Sequence, residues 1–541
     1  MPDMTDVLIA GAGPVGLMLA TELRRDGVGV RIIDTHAERS FFVKALGVTA
    51  RTLELFDDLG IAQEAIVAGV WIERADVYRD GALVSSTEVP RTGLPYGALS
   101  LAQYETERIL ERALARHGGR VDYGATLVDF ADDADGVLCR VKDAAGDVRE
   151  VRCRWLVGCD GARSTVRRHL NIPFEGDQYP QTFMLADLDV DWPLQRGAMF
   201  RFNRSARADG QGPTTLAALP VRGSVRRYRL SMVLLPDDAA RLASVASDAS
   251  VVAPDFAEVE RIMQPVLPEG TRLSALRWSS VYRVSHRIAQ RYAQGRVFLA
   301  GDAAHIHPPV GGQGMNTGLQ DACNLAWKLT LAARDLAGAA LLASYEAERR
   351  PVGLDVVEST SRALNTVLAH GEVRPAMRET QLLVGYRGSP IVADHIDGFP
   401  DELPAPGDRV PEVGGLTEDF IGHVERLAAL TGGGRHTLIG YARSSDAASF
   451  EAAADAWRVA LGPAANAVLI AAPDADAPAL ARSETHRTLT DAAGAFASAF
   501  GARDGMIWAV RPDGHIGFRS SAGAVQALIA WLEGTLARER G

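Results

Sequence analysis

The sequence predicts an α/β protein in which a parallel-sheet domain is interrupted by an inserted antiparallel sheet and followed by a separate αβ block. Three observations carry this. A βαβ pattern closes around glycines between Asp6 and Asp34. Period-two alternation replaces it from about Tyr179 to Arg287. Pro400, Pro404, Pro406 and Pro411 then crowd a polar stretch that reads as a linker.

Taken in order, Asp6–Ala10 is a short buried strand, Gly11–Gly16 a tight turn, Leu17–Arg25 a helix, and Val28–Ile33 a strand ending at Asp34. Apolar 3–4 spacing predicts helices over Ala50–Leu59 and Tyr104–His117, and strands return between Val121 and Gly158. The inserted sheet takes Thr182–Val190, Ala198–Asn203, Thr215–Pro220 and Arg227–Leu235. A strand at Arg296–Ala300 leads through glycines into a helix over Asn316–Asp335, continued by Ala339–Leu368. Beyond the prolines, strands at His436–Tyr441 and Ala467–Ala471 alternate with helices at Ser449–Ala460 and Thr490–Phe500, before a hairpin around Pro512-Asp513-Gly514. The expected domains are 1–178 with 288–398, 179–287, and 405–541.

Composition narrows the function classes. Of 541 residues, 47% are hydrophobic and 23% charged, which excludes a largely disordered chain. The net charge of −11 argues against nucleic acid or an anionic membrane as partner. Cys139, Cys153, Cys159 and Cys323 show no CxxC spacing, so neither a disulfide scaffold nor a cysteine metal site is expected. No basic leader precedes Asp6, and Ala303–Gln320, free of charge, is too rich in Gly, His and Pro to span a membrane. A cytoplasmic protein is the expectation.

Gly11-Ala-Gly13-Pro-Val-Gly16 follows a strand and opens a helix, and Asp34 ends the next strand, the context of a Rossmann-type dinucleotide site. Gly11 permits the turn, Gly13 lets a pyrophosphate approach the backbone, and Gly16 allows close packing; the helix start supplies positive potential. No second such motif occurs. Two more blocks end strands in acidic turns: Trp155-Leu-Val-Gly-Cys-Asp160-Gly161-Ala-Arg163 and Arg296-Val-Phe-Leu-Ala-Gly301-Asp302. The second runs on through Pro308-Pro309-Val-Gly311-Gly312-Gln313-Gly314-Met315-Asn316 into a helix.

On these blocks the chain resembles the group A flavoprotein monooxygenases, the single-component FAD aromatic hydroxylases, and within them the phenol, pentachlorophenol and aromatic-polyketide hydroxylases. The resemblance implies FAD as cofactor, with Gly11, Gly13, Gly16 and Asp34 on its ADP half and Gly301-Asp302 on the ribityl chain. Asp160-Gly161 would serve FAD and transient NAD(P)H, with NADPH favoured. Gln103 and Lys44 fall where the family contacts FAD, Lys44 standing in place of the commoner arginine. The helix start at Gly312, Gly314, Met315 and Asn316 would face the flavin pyrimidine edge, and Pro308 with Pro309 would stiffen the loop on its reacting side. The implied chemistry is reduction by NAD(P)H, capture of O₂ as a flavin C4a-hydroperoxide, and transfer of one oxygen to a phenolic or polyketide ring. No metal is implied, and His305-Ile-His307 reads as loop structure.

The inserted sheet would roof the substrate cavity, with Met199, Phe200, Phe202, Leu216, Leu219, Leu230 and Met232 as lining candidates, each of which could equally be core. Tyr282, His286 and Arg201 are the titratable neighbours there. The last block resembles a thioredoxin-like domain; with every cysteine before residue 324 it has no dithiol chemistry, which leaves packing or a homodimer contact. A Baeyer–Villiger-type or epoxidising oxygenase and a non-catalytic FAD-binding protein remain as alternatives. A flavin halogenase is disfavoured because its Trp-x-Trp-x-Ile-Pro signature is absent.

Overall fold

The computed structural model describes residues 3–39, 41, 43, 45–91, 96–206, 212–245, 253–337, 339–370, 375–418, 423–443, 447–475 and 485–536. Lys44, expected at the cofactor, lies outside them.

Five parallel strands, β1 (Asp3–Ala10), β2 (Val30–Asp34), β3 (Val121–Tyr123), β4 (Val148–Gly158) and β5 (Val297–Leu299), stand side by side in the order β5-β4-β1-β2-β3. Val7, Leu8, Ile9 and Ala10 are all buried, as a strand covered on both faces requires. Helix α1 (Pro14–Arg25) starts with Pro14 at its first turn and ends on Arg24 and Arg25, both favourable for those ends. It packs between α2 (Gln103–Arg116) and α3 (Gln313–Ala333). Helix α3 begins at Gln313 rather than the expected Asn316, because Gly312 adopts left-handed backbone (φ 64°) and ends the loop there. Helix α4 (Ala339–His370) follows it, with Pro351 inside.

The second sheet has eight strands and is wider than the insertion predicted for it. Its centre is Phe174–Asp191, Arg227–Val233, Thr214–Pro220 and Ala198–Arg204, paired antiparallel in that order. Arg272–Ala289 flanks Phe174–Asp191. The other side is completed by a hairpin from the first segment, Arg74–Arg79 with Ala82–Glu88, whose inner strand pairs parallel with Ala198–Arg204. This edge was not visible in the sequence, because a strand's partner is set by tertiary packing rather than by its own pattern.

The third sheet is mixed, and Ala393–Asp394 opens it ahead of the proline-rich stretch. That stretch is not a loose linker: Gly407 N donates to Ile516 O (2.7 Å), Val410 N to Gly514 O (2.9 Å), and Arg409 pairs with Glu54 at 3.0 Å. The expected helix at Thr490 instead begins at Ala495, since Arg487–Thr490 pairs with Ala465–Ala471. One face of this sheet, covered by Phe450, Trp457, Leu528 and Leu532, shares a core with Trp327 and Leu331 of α3. At that boundary Arg511 donates twice to Glu348 (2.7 and 2.8 Å), beside Lys328, all buried. Among the described residues no helix is long and apolar enough to cross a membrane.

Candidate active site

A cavity of about 1200 Å³ runs from the C-terminal ends of β1, β2 and β4 to the face of the second sheet. Ligands in open parallel sheets sit at that end of the strands, where loops and helix starts converge.

The glycine loop divides three tasks. Gly11 has φ 103°, and a Cβ there would strike the carbonyl of Cys159 at the end of β4. Gly16 is packed against the Gly11 carbonyl, so its Cβ would collide too. Gly13 differs: its φ is −69°, a Cβ would meet nothing within 4 Å, and it lines the cavity. The space beside Gly13, at a helix start that no side chain caps, is a cradle for an anionic group. Asp34 ties the loop to β2, its Oδ2 accepting from Ala12 N (2.8 Å) and its Oδ1 from His36 N (2.9 Å).

Asp160 Oδ2 accepts from Thr165 N (2.7 Å) and Val166 N (3.2 Å), which anchors the turn carrying Gly161. Its Oδ1 is buried without a hydrogen-bond partner among the described residues. Gly161 (φ 76°) and Asp302 line the cavity; Gly301 (φ 60°) lies behind them against Val15. Gln103 lines it too, accepting from Ala45 N (3.2 Å) and donating to Glu107 (2.9 Å).

Beneath this turn lies an ion cluster that the motifs did not reveal. Asp321 Oδ2 accepts from Gly301 N (3.1 Å) and lies 2.8 Å from His305 Nε2, while Oδ1 accepts from Arg349 Nε (2.7 Å). Burial works to raise the Asp321 pKa, but Arg349 and His305 overcome it and hold the carboxyl below its ordinary value. The one acidic residue of helix α3 was the available signal. His305 is thus a structural partner. Burial, then the neighbouring His305, pushes His307 down to about 4, leaving it neutral at ordinary pH. Among the described residues no group of His, Cys, Asp or Glu could hold a metal. Asp321→Asn should leave Arg349 buried without its anion, costing about 3–5 kcal/mol, and loosen the Gly301–Asp302 turn. Thermal unfolding and the flavin retained through gel filtration would show both; wild-type values would refute this role.

The expected reacting loop divides. Gly312, Gly314 and Met315 line the cavity, at a helix start without a side-chain cap. Pro308 is buried behind the loop, and Pro309 is the proline at the cavity. Asn316 is fully buried and is not part of the wall. Its Oδ1 accepts from Thr49 N (3.1 Å) and its Nδ2 donates to Gly47 O (2.8 Å), so it staples the loop to a neighbouring strand.

On the sheet, alternation sorts the lining candidates. Met199 and Leu219 face the cavity; Phe200, Phe202, Leu216, Leu230 and Met232 point to the opposite face and form core. The cavity face instead carries Phe183, Leu185, Arg201, Arg229, Trp278 and Tyr282. His286 is not in the wall. Burial raises the Tyr282 pKa, which keeps it a neutral phenol.

Residues 4–360 match the model of a family described as FAD binding domain. Tetracenomycin A2 monooxygenase-dioxygenase of Streptomyces glaucescens is 30% identical, over 99% of this chain and 97% of its own. Pentachlorophenol 4-monooxygenase of Sphingobium chlorophenolicum is also 30% identical, over 75% of each chain. The crystal structure of aklavinone-11 hydroxylase with FAD and aklavinone matches with a TM-score of 0.79 at 27% identity, covering 99% of this chain and 100% of that one. The buried, unpartnered Asp160 Oδ1 and the open space at Gly13 fit such a cofactor. The chain belongs to the FAD-binding-domain family and is an FAD-dependent monooxygenase.

Proposed function

We propose that this monooxygenase hydroxylates a phenolic or polyketide aromatic ring at the expense of NAD(P)H, NADPH being favoured. The observation that carries this is one continuous cavity joining the glycine loop to an aromatic-lined sheet face. FAD bound at the loop, once reduced by NAD(P)H, supplies the activation of O₂ that delivers one oxygen atom to the ring.

The chain's own residues bind, orient and exclude water. Backbone N–H groups at Gly13 and the start of α1 hold the pyrophosphate, Asp34 the ribose, and Asp302 with Gln103 the flavin side. The start of α3, at Gly312, Gly314 and Met315, supplies positive potential to the reduced cofactor, and Asn316 positions that start from behind. Phe183, Leu185, Leu219, Val233 and Trp278 put apolar surface on the sheet wall, which keeps water from the reacting oxygen. The second sheet serves as the substrate domain, and the thioredoxin-like third region acts as a brace. Support for the brace is the core it shares with α3.

NADPH oxidation by the yellow protein across phenols, naphthoquinones and anthracyclinones, with product identification, tests the reading. The expected product carries one added oxygen as a ring hydroxyl. A lactone or epoxide would point to the other oxygenase chemistries, and a flavin that NAD(P)H never reduces would overturn the enzyme reading.

A further inference from the structure

The geometry points to a subsite for an anionic oxygen of the substrate, a carboxylate or an ionised ring hydroxyl, at the Arg201 guanidinium on the cavity face of the second sheet. This rests on the hydroxylase reading above and names its substrate class more narrowly.

Register brings Arg201, Ala217, Ser231, Leu185 and Ser280 into one row across five strands' worth of pairing, and all five line the cavity. Arg201 pairs with Ala217 on one side and Val77 on the other, both smaller than itself, and its side chain lines the cavity. Trp278, Tyr282 and Phe183 lie on the same face, offering aromatic surface for a ring.

Three other arginines of this sheet are neutralised by carboxylates, whereas Arg229 and Arg283 share the cavity wall with Arg201. Arg227 holds Asp187 through two hydrogen bonds (2.9 and 2.5 Å), Arg74 pairs with Asp76 at 2.9 Å, and Arg277 with Asp189 at 3.0 Å. Arg201 has no ion-pair partner among the described residues. The carboxylates lining the cavity, Asp34, Glu38, Glu107, Asp160, Asp302 and Glu379, all belong to the cofactor end and its loops, and the sheet contributes none. Burial alone acts on Arg201, pushing it down to about 10, so it remains charged at neutral pH. A desolvated guanidinium without an anion is costly to keep unless a ligand supplies one. Its planar fork matches a carboxylate or a pair of ring oxygens.

The test titrates the FAD-loaded protein with a hydroxynaphthoate and with its carboxamide, following the flavin absorbance. The wild type should bind the carboxylate on the order of tenfold to a hundredfold more tightly, the range for a charge-assisted pair. Arg201→Gln should bring that ratio close to unity, and Arg201→Lys should retain part of it. A wild-type ratio at or below unity, including binding of neither probe, overturns the proposal, as does an undiminished ratio in Arg201→Gln. Should Arg201→Gln fail to load flavin, the wild-type ratio and Arg201→Lys decide. Hydroxylation of neutral aromatics without preference for the acid sinks this subsite alone. Failure to hydroxylate any aromatic, acid or amide, sinks the hydroxylase reading itself.

Discussion

Arg511→Ala is expected to destabilise the whole protein by about 3–5 kcal/mol, because it breaks a buried charge cluster and leaves its carboxylates under-compensated. Glu348 accepts from Arg511 (2.7 and 2.8 Å), Lys328 (2.8 Å), Asn324 (2.6 Å) and Ser389 (2.7 Å). Asp513 accepts from Arg511, from Asn324 (3.2 Å) and from Trp327 Nε1 (3.3 Å). Burial works to raise both carboxyls, but Arg511 overcomes it, helped by Lys328 at Glu348 and by His515 at Asp513, and holds both below their ordinary values. Without Arg511 two buried carboxylates face one ammonium. Urea unfolding should show the loss, with Arg511→Lys intermediate; a loss below about 1 kcal/mol would mean that solvent or rearrangement replaces the guanidinium.

The same boundary makes stability acid-sensitive. His436 lies beside Trp327 and Trp457, and burial pushes its pKa from 6.5 down to about 3. Its folded value is lowered, so its contribution is complete above 6.5 and is lost as pH falls toward 3. The depressed carboxyls act in the same direction at lower pH. The urea midpoint should therefore be lower at about pH 5 than at about pH 7, and the reverse order would contradict the burial of His436.

Gly13→Val should give a folded protein of near wild-type stability that no longer holds FAD. Among the described residues nothing lies within 4 Å of the new Cβ, and the backbone there (φ −69°) suits any residue. Only the cofactor would be displaced, and losing its charge-assisted backbone hydrogen bonds should weaken FAD on the order of a hundredfold. Gly11→Val and Gly16→Val differ in kind, since their side chains would strike the carbonyls of Cys159 and Gly11. Those variants should lose stability and flavin together. The flavin-to-protein absorbance ratio, measured beside an unfolding curve, separates the two classes. Full flavin occupancy in Gly13→Val would place the pyrophosphate elsewhere.

Much of the glycine-loop end of the cavity was legible because its signals are local. A strand, a glycine turn and a helix start are consecutive in sequence, so Gly11, Gly13, Gly16 and Asp34 declare themselves within one βαβ unit. Asp160, Gly161, Gly301 and Asp302 are equally local, each at the end of a buried strand. Roles within the loop before α3 were harder to read. Two adjacent prolines look alike in sequence, yet Pro308 turns into the protein and Pro309 to the cavity. Asn316 follows Met315 directly, yet it bonds backward to Gly47 and Thr49, more than 260 residues away.

By itself, then, the sequence determined the parallel-sheet domain, the glycine turns at its strand ends and the alternation of the second sheet, all of which follow from spacings of a few residues. Only the tertiary structure decided which face of that alternation meets the cavity, because a period of two offers both faces equally until the strands are laid against helices or a void. Packing, too, brought the hairpin Arg74–Glu88 to complete the sheet, set Asp321 under the Gly301–Asp302 turn, and closed the third region onto Trp327, Lys328 and Glu348. Charges buried inside helices can be noticed in a sequence, but their partners come from distant segments. What neutralises them, and why Arg201 meets no carboxylate among the described residues, is settled only when those segments meet.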